Sequence, residues 1–234
     1  MEIVSKILLG SHIFFGSISL IVFWLPSIFT KKGGEWHNKI GRIYVWLMWF
    51  VVISAALLCI KNVIVGNYNS AIFLGFLTLI TAHPIWHGTA ILNYKKEQPQ
   101  SFITMHMVFR SIIILASLGL ITYGAYLHFF QGEMHPLFFI FGILGGTDLP
   151  SWIKELKSPI KNANWLIEHL SGMIISGIAA YTAFFAFGGR AMLGKILTGY
   201  WQILPWILPT IIGVIAIKYQ KKKYEKKKST VVVN

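Results

Sequence analysis

Seven predominantly apolar runs, each long enough to cross a bilayer, dominate this chain. A spanning helix needs about 20 apolar residues, within a range of about 17–25. Such runs fall at 7–29, 41–60, 70–92, 108–130, 136–153, 165–187 and 200–218. Lipid offers no hydrogen bonds, so a segment surrounded by it must satisfy its own backbone, and helices do so. The fold expected is an all-α polytopic bundle of seven transmembrane helices. It makes one domain over 1–220, followed by a polybasic tail over 221–234. The fifth run is the weakest. Gly145, Gly146, Asp148 and Pro150 crowd its end, so helix is predicted to about Leu144 and irregular chain beyond.

Composition excludes the soluble alternatives. Charged residues make up 12% of the chain and apolar residues 55%, whereas an ordinary soluble domain is about a quarter charged. A soluble fold of this composition would expose large apolar patches, and a disordered chain needs far lower apolar content. The net charge of +13 would suggest nucleic acid in a soluble protein. Here the cations cluster between apolar runs, where they encode orientation, and no nucleic-acid partner is expected. Seventeen Lys and Arg fall on one side of the alternating loops, from Lys31 to the lysine-rich end. Lys6, Lys61, Arg190 and Lys195 fall on the other. That asymmetry predicts an N-terminus outside and a C-terminus in the cytoplasm. The first run lacks a small-residue cleavage site and reads as a retained helix. The tail from Lys221 to Lys228 should attract anionic lipid. Cys59 stands alone, so no intrachain disulfide or multi-thiolate zinc site forms.

Ionisable residues inside a membrane are costly and need a reason. His37, His87, His106 and His169 fall near the cytoplasmic ends of four spans, with Asp148 and Glu168 at a similar level and His83 deeper. His83 and His87 share one helix face at i and i+4, so one ion could bind both. Pro84 follows His83 where a zincin would place Glu, which excludes that motif. Pro84 also leaves the Ile80 carbonyl without its usual donor. His106 and Arg110 are again i and i+4. Arg110 is expected to snorkel to the interface, with pairing to Asp148 as the alternative. Glu168 and His169 point about 100° apart. His169 is taken to face the core and Glu168 to be a surface charge. Gly172, Ser176 and Ala180 form a small-residue stripe suited to close helix packing.

These residues define a candidate cofactor site of His87, His106, His169, Asp148 and His37. A candidate metal set is His83, His87, His106, His169 and Asp148. Neutral imidazoles from several helices suit zinc, iron or haem. Haem would imply electron transfer, with His12 in the outer half as a second ligand. A zinc-dependent intramembrane hydrolase and a proton-coupled transporter use the same groups. No substrate is readable.

Residues 31–45, running Lys31-Lys32-Gly33-Gly34-Glu35-Trp36-His37 and on through Gly41-Arg42-Ile43-Tyr44-Val45, resemble a bacterial family of multi-spanning membrane proteins with no assigned function. The stretches His106 to Ser111, Trp165 to Phe185 and Pro205 to Pro209 carry the same resemblance. It implies a polytopic protein of a bacterial plasma membrane, with His37, Gly41, Arg42 and Tyr44 in the family pattern. It transfers no catalytic residue. Many relatives would carry a basic residue in the turn after His169, where this chain has Ser171-Gly172-Met173.

Overall fold

The computed structural model describes residues 2–157, 164–188 and 196–232, with side chains as far as Tyr224. Of the charges counted above, Lys161, Arg190, Lys195 and the side chains of Lys226, Lys227 and Lys228 lie outside the described residues.

The described chain is helical and contains no strand. Its helices are α1 (Glu2–Ile28), α2 (Glu35–Ile64), α3 (Tyr68–Ala90), α4 (Gln100–Gln131), α5 (Pro136–Gly146), α6 (Leu149–Lys157), α7 (Trp165–Ala183) and α8 (Leu204–Val232). Short 3-10 turns follow α3 and precede α8, and α7 ends in a π-helical turn, Phe184–Gly188. Taking α5 and α6 together, seven helical segments are long and apolar enough to span a membrane.

Local chemistry sets the boundaries. Asn67 caps α3, its side chain accepting from the Ser70 N–H, and Asn164 caps α7 through the Leu166 N–H. Gly132 ends α4 in the left-handed conformation, at φ 71°, which glycine adopts without a Cβ clash. Pro136 then starts α5 at a position where its missing N–H is no loss. Helices begin earlier than hydropathy places them, most clearly α2 at Glu35 and α4 at Gln100. Their first turns are polar, so a count of apolar residues overlooks them. The fifth span corrects the expectation of irregular chain after Leu144. Helix continues to Gly146, breaks over Thr147 and Asp148, and resumes as α6. α8 continues through residue 221 as far as Val232.

Packing follows chain order, α1 on α2, α2 on α3, α4 on α5 and α7 on α8, with α3 also meeting α4 and α7. Phe73, Phe76, Leu120, Phe138, Phe141 and Trp206 form one buried cluster, and Tyr44, Met48, Val52 and Ile85 another. Backbone approaches backbone most closely between α3 and α7. A Cβ on Gly172 would lie 2.7 Å from both Gly88 Cα and the Pro84 carbonyl oxygen. One turn along, Ser176 shares a 2.9 Å hydrogen bond with the Tyr44 hydroxyl. The small-residue stripe of α7 is therefore a packing seam, with the Pro84 segment of α3 against it. Outward-facing Phe14, Trp46, Ile53, Leu115 and Ile215 are exposed, as helices solvated by lipid require.

Candidate metal centre

Consecutive antiparallel helices bring the last turns of α3, the second turn of α4 and the first turn of α7 to one end of the bundle. Three imidazoles meet there. His83 and His87 project from one face of α3, and His106 answers from α4. The His87 and His106 rings stack at 4.0 Å between centroids, and His83 stands 5.1 Å from His106. His83 Nε2 and His106 Nδ1 are 3.1 Å apart. Each of the three residues offers one ring nitrogen such that all three nitrogens lie within 4.8 Å of one another. The cluster could hold a metal ion. Aromatic rings enclose it: Phe102 stacks on His87 at 5.4 Å and Phe109 lies 5.8 Å from His83.

His87 is the most constrained of the three, with 7% of its surface exposed. Its Nε2–H donates to Glu168 Oε2 at 3.2 Å. A carboxylate oxygen accepts, so in the neutral ring this bond puts the proton on Nε2 and leaves a lone pair on Nδ1. Nδ1 is buried and has no protein partner. A buried polar atom without a partner costs about 1–3 kcal/mol, and in native proteins such atoms call for an explanation.

His169 does not join the cluster. Its Nδ1–H donates to the Gly88 carbonyl at 2.7 Å, one of the last four carbonyls of α3 that lack an intrahelical donor. His37 likewise donates from Nδ1 to the Pro26 carbonyl at 3.2 Å, near the end of α1. Both histidines tie one helix to the end of another. His12 Nδ1 lies 2.8 Å from Ser54 Oγ, joining α1 to α2.

Asp148 also stands apart from the imidazoles. It takes Arg110 in a two-pronged grip, from Nε at 2.6 Å and Nη2 at 3.0 Å. Glu155 accepts from Nη1, and Ser151 Oγ lies 2.9 Å from Nη2. Arg110 is 5% exposed. The expectation of snorkelling is thus corrected: two carboxylates and a hydroxyl from the α5–α6 break and α6 satisfy the guanidinium inside the protein. The bet on His169 over Glu168 needs the same correction. Both reach α3, His169 to its backbone and Glu168 to the His87 ring. An angular separation of about 100° permits this because Gly88 and Gly172 let α3 come close enough to be reached from two directions. Glu168, expected at the surface, instead holds His87. The available signal was its place four residues before Gly172 on the packing stripe.

A cavity of about 360 Å³ adjoins the centre. His87, His106 and Glu168 form part of its wall, with Glu155 and Ser111 beyond. Trp152 Nε1–H donates to Ser111 Oγ at 3.0 Å, fixing α6 across the cavity from α4.

No family model, curated protein or solved structure matches this chain.

Proposed function

We propose that this chain is a multi-pass protein of a bacterial plasma membrane that holds a transition-metal ion of the zinc class. The ligands are His83, His87 and His106, near the cytoplasmic end of the bundle. The observation that carries this reading is the buried, unpartnered Nδ1 of His87, beside two more imidazoles, with its Nε2–H held by Glu168. Metal-ligating histidines characteristically donate their other ring N–H to a carboxylate, which fixes the ring and raises its basicity. An ion would supply the partner that Nδ1 lacks.

The spacing supports an ion over haem. Tetrahedral Zn–N bonds of about 2.0–2.1 Å place ligand nitrogens about 3.3 Å apart. The 3.1 Å separation of His83 and His106 already matches one such edge. Axial histidines approach haem iron from opposite faces, and no porphyrin passes between nitrogens 3.1 Å apart. His12, proposed as a distant second haem ligand, is occupied with Ser54.

Orientation rests on the charge asymmetry, which favours N-terminus out and C-terminus in. The stretch 31–45 supports the bacterial setting. Lys218 and Lys221 to Lys223, on the cytoplasmic end of α8, suit anionic headgroups.

Elemental analysis of purified protein tests the reading. Zinc, iron or a neighbouring metal should be present at one equivalent and be lost in His83→Ala, His87→Ala and His106→Ala, because ligands act as a set. His37→Ala and His12→Ala should retain it. A Soret band in the purified protein, or no metal after reconstitution, would overturn the proposal.

A further inference from the structure

Building on that metal reading, we infer that the ion keeps its fourth position open to the adjoining cavity, and that the centre hydrolyses an acyl bond in an amphiphile drawn from the bilayer.

The donor set argues for an open position. Structural zinc sites close with four protein ligands, while catalytic ones use three and leave the fourth to water or substrate. Among the described residues the metal-capable group is three histidines. The nearest carboxylate, Glu168, contacts the opposite nitrogen of His87. His87 and His106 both form cavity wall, so a water on the ion would lie on the cavity side.

The wall and mouth of the cavity specify the ligand class. Phe102, Ile103 and Met107 make one wall apolar, while Ser111, Glu155 and Glu168 make the other polar. Val108 and Leu156 line the same cavity and are also 50% and 56% exposed. Val108 lies in the apolar part of α4, and Leu156 lies at the end of α6 between Glu155 and Lys157. Gln100 and Thr104 share that exposed edge, so the mouth is part polar and part apolar, suited to a molecule with a polar head and a hydrocarbon tail. Its head would rest against a hydroxyl and two carboxylates, an arrangement suited to a neutral hydroxyl or amine head and unfavourable to an anionic one.

The chemistry follows from the ion and the carboxylate beside it. Bound to zinc through three neutral imidazoles, water ionises near pH 7. Its oxygen adds to the acyl carbon, whose carbonyl oxygen the ion polarises. The carbon–oxygen or carbon–nitrogen bond then breaks. The proton from water passes along a cavity water to Glu168, which lies across the His87 ring but shares the cavity wall, and returns to the departing oxygen or nitrogen, giving a carboxylic acid and an alcohol or amine. Glu168 can do this while holding His87, since a carboxylate has two accepting oxygens.

The test uses full-length protein in detergent, loaded with cobalt(II) for spectroscopy and with zinc for turnover. Acetohydroxamate, a bidentate ligand, should shift the cobalt d–d bands. The zinc form should cleave fluorogenic acyl esters and amides, faster for long chains than for acetyl. Glu168→Gln keeps an acceptor for His87 but cannot carry the proton. It should bind cobalt about 10- to 100-fold more weakly and, at saturating metal, lose turnover by about 10²–10⁴-fold, the usual contribution of general acid–base catalysis. Bound cobalt that ignores hydroxamate would mark a closed structural site and overturn this inference while leaving the metal reading intact. Hydroxamate binding without cleavage at any chain length would overturn the hydrolysis. Full turnover in Glu168→Gln would overturn the proton route. Failure to bind cobalt or zinc at all would instead sink the metal reading beneath it.

Discussion

Substituting Gly172 with alanine should loosen the α3–α7 seam and the metal centre together. The new Cβ would sit 2.7 Å from Gly88 Cα and from the Pro84 carbonyl oxygen, and 3.1 Å from Gly88 N. All three are backbone atoms, so no side chain can swing away. Ordinary contact begins at 3.4 Å, and the helices must therefore part by about 0.7 Å at this level. The same displacement would stretch the 2.7 Å bond from His169 to the Gly88 carbonyl and the 3.2 Å bond from His87 to Glu168 past the useful range of about 3.2 Å. Overpacking costs about 1–3 kcal/mol and each lost hydrogen bond about 0.5–1.5 kcal/mol, a total of about 2–6 kcal/mol. For a chain of this size that corresponds to roughly 5–20 °C in melting temperature. Releasing the carboxylate from His87 should weaken metal binding about 10- to 100-fold. Thermal unfolding in detergent and competitive chelator titration measure the two effects. Gly119→Ala is the control: its Cβ meets nothing within 4 Å, and alanine is the better helix former, so neither quantity should fall. Wild-type melting and wild-type metal affinity in Gly172→Ala would refute the seam as the element that positions Glu168.

Other substitutions probe separate parts of the same end of the bundle. Arg110→Leu removes the partner of two carboxylates and should destabilise by about 1–3 kcal/mol, the cost of leaving charged acceptors without their donor where water reaches them only in part. Asp148→Asn should cost less, because the Asp148 side chain is 45% exposed and Glu155 still holds the guanidinium; detergent melting curves rank the two. His169→Ala should lower stability while leaving an equivalent of bound metal, since its ring serves the Gly88 carbonyl, whereas His106→Ala should lose the metal. Reporter fusions after Asn67 and Gly132 should read outside and after Gln98 inside, and a reversed pattern would move the centre to the outer side. Truncation after Tyr224 should leave metal content and oligomer profile unchanged by elemental analysis and size exclusion, because the last described side-chain contact of α8 is Lys32 over the Tyr224 ring, at 5.9 Å.

Much of the fold was legible because lipid imposes a simple rule on sequence. Long apolar runs mark spans, and α1, α3, α7 and the others fall where those runs lie. The exceptions share a cause. The first turns of α2 and α4 are polar, and α6 is short and rich in lysine, so an apolar count misses helix that tertiary contacts support, among them His37 to the Pro26 carbonyl, Phe102 on His87 and Arg110 to Glu155. At the centre, His83, His87 and His106 could be singled out because imidazoles inside spans are conspicuous and i, i+4 spacing puts two on one face. Their separation from Asp148 could not. Asp148 and the histidines share a level along the bundle, but level says nothing about azimuth, and Arg110 decides where the carboxylate goes. Glu168 illustrates the same limit. Sequence fixes the angle between Glu168 and His169 on α7, whereas the distance to α3 depends on Gly88 and Gly172 meeting across the seam.

The polar content of α3 bears on how the protein is made. This span, with the α5–α6 segment, is the least apolar of the seven, carrying His83, Pro84 and His87 within one and a half turns. A nascent helix with two imidazoles and an interrupted backbone partitions weakly into lipid by itself. Its neighbour α2, the most apolar span, can hold it at the insertion machinery until α4 emerges with His106. The third span finds the partner for its imidazoles only in the fourth, whose His106 meets His83 and His87.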